Sequence, residues 1–366
     1  MAPNNPPFRA EHVGSLLRPK KLTQAFRAHG EGRLNDAEFA AIQDQCIRDV
    51  VKLQEDIGLK SITDGEFRRA SYWSHFVETV EGFGVRPARF KFRDAEGVEQ
   101  DFLAPIAEGR VARNRSISGG EYEFLAATTR ETPKVTIPSP PTMHFWGGAG
   151  ETDSVYPDVE TFFADLALVY RAEIGALAEA GARYVQVDEV PLAMLCDQNV
   201  RDRLAEGGED AERLIERYIE LINACVGDRP PGLTIGLHLC RGNFKGRWLT
   251  QGGYDAVAEK MFTGIDVDAF FLEYDTPRAG DFAPLRFVPE GKSVVLGLVT
   301  TKSPELEKPD DLKSRIDEAA KVVPLDRLAL SPQCGFASTV AGNPVTEEDE
   351  IKKLSLIVDV AREVWG

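Results

Sequence analysis

One histidine, two cysteines and one glutamate directly follow short apolar runs of the sequence, and together their side chains could bind a metal. His238 and Cys240 end one run, Glu273 ends the next, and Cys334 follows a third. If these runs are neighbouring parallel strands, an imidazole, two thiolates and a carboxylate converge at one edge of the sheet. This set has the ligand types and number of a zinc site, and two thiolates favour zinc over magnesium or calcium. Zn²⁺ bound there could deprotonate a substrate thiol at neutral pH.

The spacing of the cysteines separates candidate ligands from packing residues. Cys240 is the second residue after His238, so on a strand both side chains point the same way. Cys46 and Cys225 occupy apolar positions of helical patterns, which predicts inert core residues, and Cys196 is also predicted to pack. Five scattered cysteines in a long chain do not indicate a disulfide framework.

Composition restricts the class of protein and its partners. The chain has 366 residues, of which 43% are hydrophobic and 28% charged, as in an ordinary soluble globular protein. Its net charge of −16 argues against nucleic acid or an anionic membrane as a partner. No apolar run approaches the roughly 20 residues that span a bilayer, and the N-terminus lacks the features of a signal peptide. We therefore expect a cytoplasmic protein.

Eight short apolar runs predict buried parallel strands, and helical patterns lie between many of them. The runs cover residues 8–13, 59–63, 134–137, 183–187, 233–239, 269–272, 293–298 and 328–330. This alternation predicts an α/β fold of the (β/α)8 or TIM barrel type, as a single catalytic domain over residues 1–366. An open doubly wound sheet is the alternative, but no glycine-rich phosphate loop supports it.

Residues 75–130 interrupt this alternation after strand two, because they are too many for an ordinary connection. Within them, residues 88–97 alternate polar and apolar side chains and then turn, which predicts a hairpin. We expect an insertion over the active face, serving either as a lid or as a contact in a homo-oligomer.

Barrel enzymes place their active sites at the C-terminal ends of the strands, and polar residues follow most of the predicted strands. We predict that Ser15, Glu66 and Asp188 contact the substrate, and that Asp64 and Glu189 support the site from behind. Aromatic residues in the loops after strands two and three could line the pocket: Tyr72, Trp73 and Trp146.

Several short stretches of the sequence resemble the C-terminal catalytic barrel of the cobalamin-independent methionine synthase family. The similar stretches appear in the family's order over nearly the whole chain: HVGS at 12–15, TDGEF at 63–67, VQVDE at 185–189, HLC at 238–240, FLE at 271–273, GLVTTKSP at 297–304 and SPQCG at 331–335. The resemblance implies that His238, Cys240, Glu273 and Cys334 are zinc ligands. It also implies that Ser15, Glu66 and Asp188 hold the amino-acid part of homocysteine. The implied reaction moves a methyl group from a methyltetrahydrofolate-type donor to the homocysteine thiol, which gives methionine. The chain resembles a single-barrel form, since classical members carry a further N-terminal barrel.

Some positions depart from the family's pattern. Lys302 stands where the family has a histidine that assists proton transfer, and a lysine could donate a proton or bind an anionic group. Trp146 is comparable to a tryptophan that stacks on the folate. Arg241 and Asn243, predicted to support the site, follow Cys240 where the family has an aromatic residue and a second cysteine. The identity of the methyl donor is therefore open.

Two alternatives to this function remain open at the level of sequence. One is a zinc-dependent alkyltransferase that joins the thiol of coenzyme M to an epoxide, with Arg241 and Lys302 binding the sulfonate. Glu66 and Asp188 argue for an amino-acid thiol instead, since two carboxylates suit an ammonium group and repel a sulfonate. The other is a non-catalytic zinc-binding barrel, since closed structural sites also use four protein ligands.

Overall fold

The computed structural model describes residues 6–93, 97–147, 152 and 154–366. The described residues form twelve strands: β1 (Ser61–Ile62), β2 (Glu81–Pro87), β3 (Phe92–Arg93), β4 (Glu99–Gln100), β5 (Leu103–Ala112), β6 (Thr132–Pro133), β7 (Val135–Pro138), β8 (Tyr184–Glu189), β9 (Thr234–Leu239), β10 (Ala269–Glu273), β11 (Ser293–Val299) and β12 (Leu328–Pro332). They also form eleven α-helices: α1 (Lys20–Gly30), α2 (Asp36–Ile57), α3 (Ser74–Thr79), α4 (Gly119–Thr128), α5 (Val159–Glu179), α6 (Pro191–Met194), α7 (Gln198–Glu206), α8 (Ala211–Val226), α9 (Ala258–Gly264), α10 (Pro309–Ala319) and α11 (Glu347–Trp365).

The parallel strands follow one another in chain order, which confirms the predicted α/β fold. Strands β7 to β12 form one six-stranded parallel sheet. At its first edge, β6 leads directly into β7 and pairs in parallel with β1. At its last edge, Ala10 forms a parallel bridge with Leu330 of β12. Eight parallel segments therefore lie in series, as predicted, although residues 8–13 contribute a single bridge and no regular strand.

The N-terminal segment lies against β1 through side chains and lacks a backbone ladder there. The His12 ring Nε2 lies 3.0 Å from the Ser61 carbonyl oxygen, and the Thr63 hydroxyl donates to the Gly14 carbonyl at 2.6 Å. These side chains satisfy backbone oxygens that a ladder would otherwise use, which explains why residues 8–13 do not form a regular strand.

A layer of buried side chains fills the space that the strands surround. Lys134, between β6 and β7, pairs with Glu11 of the N-terminal segment at 3.1 Å, and both side chains are fully buried. The Tyr184 hydroxyl donates to the same carboxylate at 3.1 Å, and the Ser61 hydroxyl does so at 2.7 Å. The ammonium of Lys134 lies 5.1 Å from the ring centroid of Phe271 in β10. Segments from across the series thus meet in one interior, an arrangement compatible with the (β/α)8 barrel.

The segment between β1 and β6 carries two antiparallel pairs of strands. Strand β2 pairs with β5, and β3 pairs with β4. The hairpin predicted at 88–97 includes β3, which pairs with β4, and residues 94–96 of that range lie outside the described residues. The pairing of β2 with β5 was not predicted, because glycines interrupt the alternation in β2. Gly82 has φ +90°, and a Cβ there would lie 2.4 Å from the Arg110 carbonyl oxygen, so this close pairing requires glycine.

The long helices begin and end where their capping residues indicate. Asn35 and Glu38 form a capping box at the start of α2, and Gly58 ends that helix in the left-handed conformation. Thr346 and Asp349 form a second capping box at α11. Within the described part of the chain, no helix is both long enough and apolar enough to cross a membrane.

Candidate metal centre and substrate cavity

Three of the predicted ligands meet at the C-terminal ends of β9 and β12. A ring nitrogen of His238 and the sulfur atoms of Cys240 and Cys334 all lie within 4.8 Å of one another. All three residues are buried. The two sulfur atoms are 3.3 Å apart and belong to free cysteines. Neither ring nitrogen of His238 has a hydrogen-bond partner among the described residues. A buried imidazole without a partner beside two sulfur atoms fits a metal of zinc type.

The proximity of the two sulfur atoms changes how each thiol ionises. The contact with the Cys240 sulfur lowers the pKa of Cys334 well below its ordinary value, and the charge of Lys302 acts in the same direction. The same contact, together with burial, raises the pKa of Cys240. The contact therefore favours a state in which one sulfur is ionised and the other keeps its proton.

Glu273, the fourth predicted ligand, ends β10 as expected but contacts cations. Its carboxylate forms an ion pair with the Arg278 guanidinium and accepts the backbone N–H of Arg241 at 3.4 Å. Burial alone would raise the pKa of Glu273, but the charges of Lys302, Arg278 and Arg241 together lower it. The structure thus places an ionised carboxylate next to the site and holds it through Arg278, and its role as a ligand stays a prediction.

A cavity of about 360 Å³ opens from this cluster, and its lining is mainly apolar. All three clustered ligands line it, as do four polar residues predicted to belong to the site: Ser15, Glu66, Asp188 and Asn243. Six aromatic residues form walls of the cavity: Tyr72, Trp73, Phe92, Phe102, Trp146 and Phe244. Phe92 and Phe102 belong to the insertion. An apolar cavity with a few convergent polar groups is typical of a small-molecule site.

Two buried carboxylates, Glu66 and Asp188, line this cavity, and the exposed Asp101 lies at its edge. Glu66 accepts from the Thr136 hydroxyl at 2.8 Å through one oxygen, and its other oxygen is buried without a hydrogen-bond partner among the described residues. Asp188 accepts from the Gln186 amide at 2.7 Å. Burial raises the pKa of Asp188 to about 7 and also raises that of Glu66. A cationic group placed between them would favour the ionised forms.

Ser15 and Asn243 contact the loop that carries Cys334. The Asn243 side chain donates to the Gly335 carbonyl at 2.7 Å, and the Ser15 carbonyl accepts from the Phe336 N–H at 2.9 Å. A Cβ at position 335 would lie 1.9 Å from the Ser15 hydroxyl oxygen, so only glycine permits this approach. Ser15 is therefore held directly beside the Cys334 loop.

The residues predicted to support the site bind backbone near it. The Asp64 carboxylate accepts the N–H of Glu66 at 2.8 Å, and burial raises the pKa of Asp64 to about 6. The Glu189 carboxylate accepts the N–H of Leu192 at 2.6 Å, and burial raises its pKa to about 7. The Arg241 guanidinium is buried 4.4 Å from the ring centroid of Tyr254 and, within the described residues, does not line the cavity.

Trp146 and Lys302 have different surroundings. Trp146 lines the cavity, and its ring packs edge-to-face on Phe102 with centroids 5.3 Å apart. Lys302 is not among the described residues that line this cavity, and it borders a second one together with Arg278. Its backbone N–H donates to the Thr300 hydroxyl at 3.2 Å in a local turn. Direct contact of Lys302 with a reacting group in the first cavity is therefore not seen.

Sequence reasoning missed the arginine that positions Glu66. The Arg69 guanidinium pairs with Glu121 at 2.6 Å, donates to the Thr136 hydroxyl at 3.0 Å, and lies 4.0 Å from the Glu66 carboxylate. All of these side chains are buried. The available signal was the position of Arg69 three residues after Glu66, but its partner Glu121 is distant in sequence.

The fold and the site define an α/β protein with a thiolate-rich candidate metal centre beneath an apolar cavity. Comparison with known proteins gives the family: the model described as the catalytic domain of cobalamin-independent synthase matches residues 8–363. The chain belongs to this family, as its sequence motifs predicted.

The relatives include proteins with and without an assigned activity. The chain is 42% identical to the uncharacterized protein YxjH of Bacillus subtilis, over 98% of this chain and 95% of that protein. It is 26% identical to a methionine synthase of Pyrococcus abyssi, over 88% of this chain and 85% of that protein. A solved structure from Listeria monocytogenes, provisionally named a vitamin-B12 independent methionine synthase, is 32% identical with a TM-score of 0.75 and full coverage of both chains.

Proposed function

We propose that this protein is a zinc-dependent methyltransferase that moves a methyl group from a methyltetrahydrofolate-type donor to the thiol of homocysteine, giving methionine. One observation carries the proposal: the cluster of His238, Cys240 and Cys334 opens into a cavity that Glu66 and Asp188 also line. Family membership supports an enzyme of the methyltransferase class.

The chain's own residues divide the work around the metal. His238, Cys240 and Cys334 would hold Zn²⁺, and Glu273 would be the fourth ligand and the one to yield to the substrate, because a carboxylate is the hardest ligand of a soft site. When bound, zinc supplies the charge that keeps a coordinated thiol deprotonated at neutral pH. Arg278 offers Glu273 an alternative partner, which would lower the cost of leaving the fourth position open.

The cavity residues would orient the amino acid. Glu66 and Asp188 would bind the ammonium group of homocysteine, and Ser15 would donate a hydrogen bond to its carboxylate. The apolar walls exclude water, which strengthens each of these electrostatic contacts. The homocysteine sulfur then attacks the methyl carbon, the new S–C bond forms, and the donor nitrogen leaves with the electron pair of the broken bond.

Trp146 and Phe102 offer flat apolar surfaces on which the ring system of a donor could stack. Lys302 would contribute through its charge, which lowers the pKa of Glu273 and Cys334. Proton delivery to the departing nitrogen by Lys302 itself would need that side chain to turn from the second cavity.

Coenzyme M suits this cavity less well than homocysteine. Arg241 and Lys302, the cations that could bind its sulfonate, are absent from the described lining of the cavity. Glu66 and Asp188 are present, and two carboxylates would repel a sulfonate. A purely structural zinc site does not explain why the ligand cluster opens into a cavity with polar groups.

The experiment that tests the proposal is a thiol titration of the cobalt(II)-substituted protein, followed by its visible and near-ultraviolet spectrum. We expect a new thiolate-to-cobalt band with L-homocysteine, none with coenzyme M, and a weaker response to L-homocysteine in Glu66→Gln. Formation of methionine from methyltetrahydrofolate would then identify the donor. A band with coenzyme M alone would move the protein to epoxide opening, and no band with either thiol would rule out thiol activation.

A further inference from the structure

A second cavity, of about 980 Å³, lies beside the loops that follow β10 and β11. Among the described residues it shares no lining residue with the sulfur-lined cavity. Its polar wall comes from two loops, with Tyr274, Asp275 and Thr276 on one side and Lys302 on the other. This cavity is larger than the first and is not used by the proposed reaction.

The polar wall holds buried groups of both charges without hydrogen-bond partners. The Asp275 side chain is 0% exposed, and neither of its oxygens has such a partner within the described part of the chain. The nearest cation to it is the Arg278 guanidinium, at 4.0 Å. The Lys302 ammonium is also buried and, in the residues described, lacks a hydrogen-bond partner, as do the hydroxyls of Tyr274 and Thr276.

Buried charges are normally paired, because desolvation of an unpaired ion is costly. The Asp275 carboxylate and the Lys302 ammonium lie farther apart than a salt-bridge distance. They are therefore complementary to a molecule that places a cation beside Asp275 and an anion beside Lys302. The buried Nε of Arg278 has no hydrogen-bond partner either among the described residues, and it adds a second donor beside Lys302. Within this wall, Lys302 and Arg278 offer donors to the anionic end of such a molecule, and Asp275 offers an acceptor to its cationic end. Elsewhere the cavity is lined by further charges of both signs: Glu305, Glu307, Asp311, Lys308 and Arg315.

We propose that this second cavity binds a free α-amino acid in its zwitterionic form. The ligand carboxylate pairs with Lys302 and Arg278, and the ligand ammonium pairs with Asp275. The apolar part of the lining receives the side chain of the ligand: Trp248, Leu298 and Leu312. The site goes beyond the proposed function, since the ligand is neither the thiol nor the methyl donor of that reaction.

The second cavity also has a physical link to the candidate metal centre. Arg278 lines this cavity, and its guanidinium stacks on Trp248 with 4.6 Å to the ring centroid. The same guanidinium pairs with Glu273. A carboxylate bound in the cavity would share Arg278 with Glu273, so occupancy of one site would change the environment of the other.

Calorimetric titration with three matched six-carbon acids tests the proposal: L-norleucine, L-2-hydroxyhexanoate and hexanoate. They differ only in the α-substituent, which is an ammonium, a hydroxyl or a hydrogen. The zinc-loaded double variant Glu66→Gln/Asp188→Asn removes the two buried carboxylates that line the first cavity, so that it reports the second. We expect one remaining site for L-norleucine and about tenfold weaker binding of the other two acids.

Substitutions in the wall assign that site. Asp275→Asn should remove the preference for L-norleucine over hexanoate, and Lys302→Met should weaken all three acids by a similar factor. Asp311→Asn and Lys308→Met change exposed charges of the same cavity and serve as matched controls with unchanged binding.

Two results would overturn the proposal: no site for L-norleucine in the double variant, or a site that Asp275→Asn leaves unaffected. If the double variant does not fold, Asp275→Asn alone in otherwise unaltered protein must reduce the number of L-norleucine sites by one. The cobalt experiment with L-homocysteine is independent of these outcomes, so failure here does not affect the methyltransferase proposal.

Discussion

Cys240 and Cys334 place two sulfur atoms 3.3 Å apart in a fully buried position without a bond between them. Two thiolates at this distance would repel each other strongly, so the metal-free pair keeps a proton between its two sulfur atoms. A divalent cation removes this repulsion, so metal binding at this site releases a proton and rises in affinity as the pH rises.

At the level of single residues, we predict that Cys334→Ser abolishes stoichiometric zinc binding. A serine hydroxyl is a poor ligand for zinc, so the affinity should fall by at least about 100-fold. Metal content per chain after dialysis against a weak chelator measures this. Cys225→Ala, a buried cysteine in α8 outside the site, is the control and should retain its zinc. Full zinc content in Cys334→Ser would contradict the assignment.

The three clustered ligands were predictable, whereas the surroundings of Glu273 and Lys302 were not. Residues at strand ends, such as His238, are directed by the alternation of the strand, which sequence spacing reveals. Lys302 lies in a loop, where the backbone turn at Thr300 decides its direction. The partner of Glu273 is Arg278, and no periodic pattern identifies a pairing formed by two loop conformations.

At the level of elements, α11 is fastened to the loop that carries Ser15. Glu350, in the first turn of α11, accepts the backbone N–H of Leu17 at 2.8 Å and is 1% exposed. Burial raises the pKa of Glu350 to about 8 from an ordinary value of 4.5. The native protein therefore holds this proton more tightly than the unfolded chain does, and ionisation costs stability as the pH rises from 4.5 to 8.

We predict that Glu350→Gln stabilises the protein at pH 8 but not at pH 4.5. Glutamine keeps an acceptor for the Leu17 N–H and carries no charge to desolvate. One pKa unit corresponds to about 1.4 kcal/mol, so the gain should reach roughly 1–3 kcal/mol at pH 8. Urea unfolding at both pH values measures it, with the exposed Glu348→Gln as control. An equal effect of Glu350→Gln at both pH values would exclude ionisation as the cause.

Regular elements followed from the sequence more closely than the irregular ones. Thr346, a favoured N-cap residue, and the acidic first turn after it are sequence signals for the start of α11. Strand β2 gave no such pattern, because Gly82 and Gly84 allow close pairing with β5 without alternating side chains. Strand pairing that depends on missing side chains leaves no periodic signal to detect.

At the level of the whole molecule, the insertion forms part of the cavity wall. Phe92 and Phe102 pack on each other with ring centroids 4.9 Å apart, and they extend to Trp146 and Phe244. The cavity is therefore closed by residues from the insertion and from the barrel together. A contact of the insertion with another copy of the chain stays a prediction.

We predict that Phe102→Ala raises the KM for the methyl donor about tenfold, since it removes an aromatic contact surface from the cavity. Zinc content and the cobalt spectrum with homocysteine should be unchanged, because Phe102 belongs to the aromatic wall and is not one of the candidate ligands. Val85→Ala, on an exposed position of β2, is the matched control. A changed cobalt spectrum in Phe102→Ala would mean that the insertion acts on the metal centre instead of the donor.

The buried layer of Glu11, Lys134, Tyr184 and Phe271 bears on how substrate enters and product leaves the protein. Tyr184 begins β8, whereas Asp188, near the other end of that strand, lines the sulfur-lined cavity. We therefore expect the buried layer to close the interior on the side away from the cavity opening. Substrate and product would then enter and leave the sulfur-lined cavity through the same opening. Methionine would have to leave before the next homocysteine could bind. The rate of product release would therefore set an upper limit on turnover.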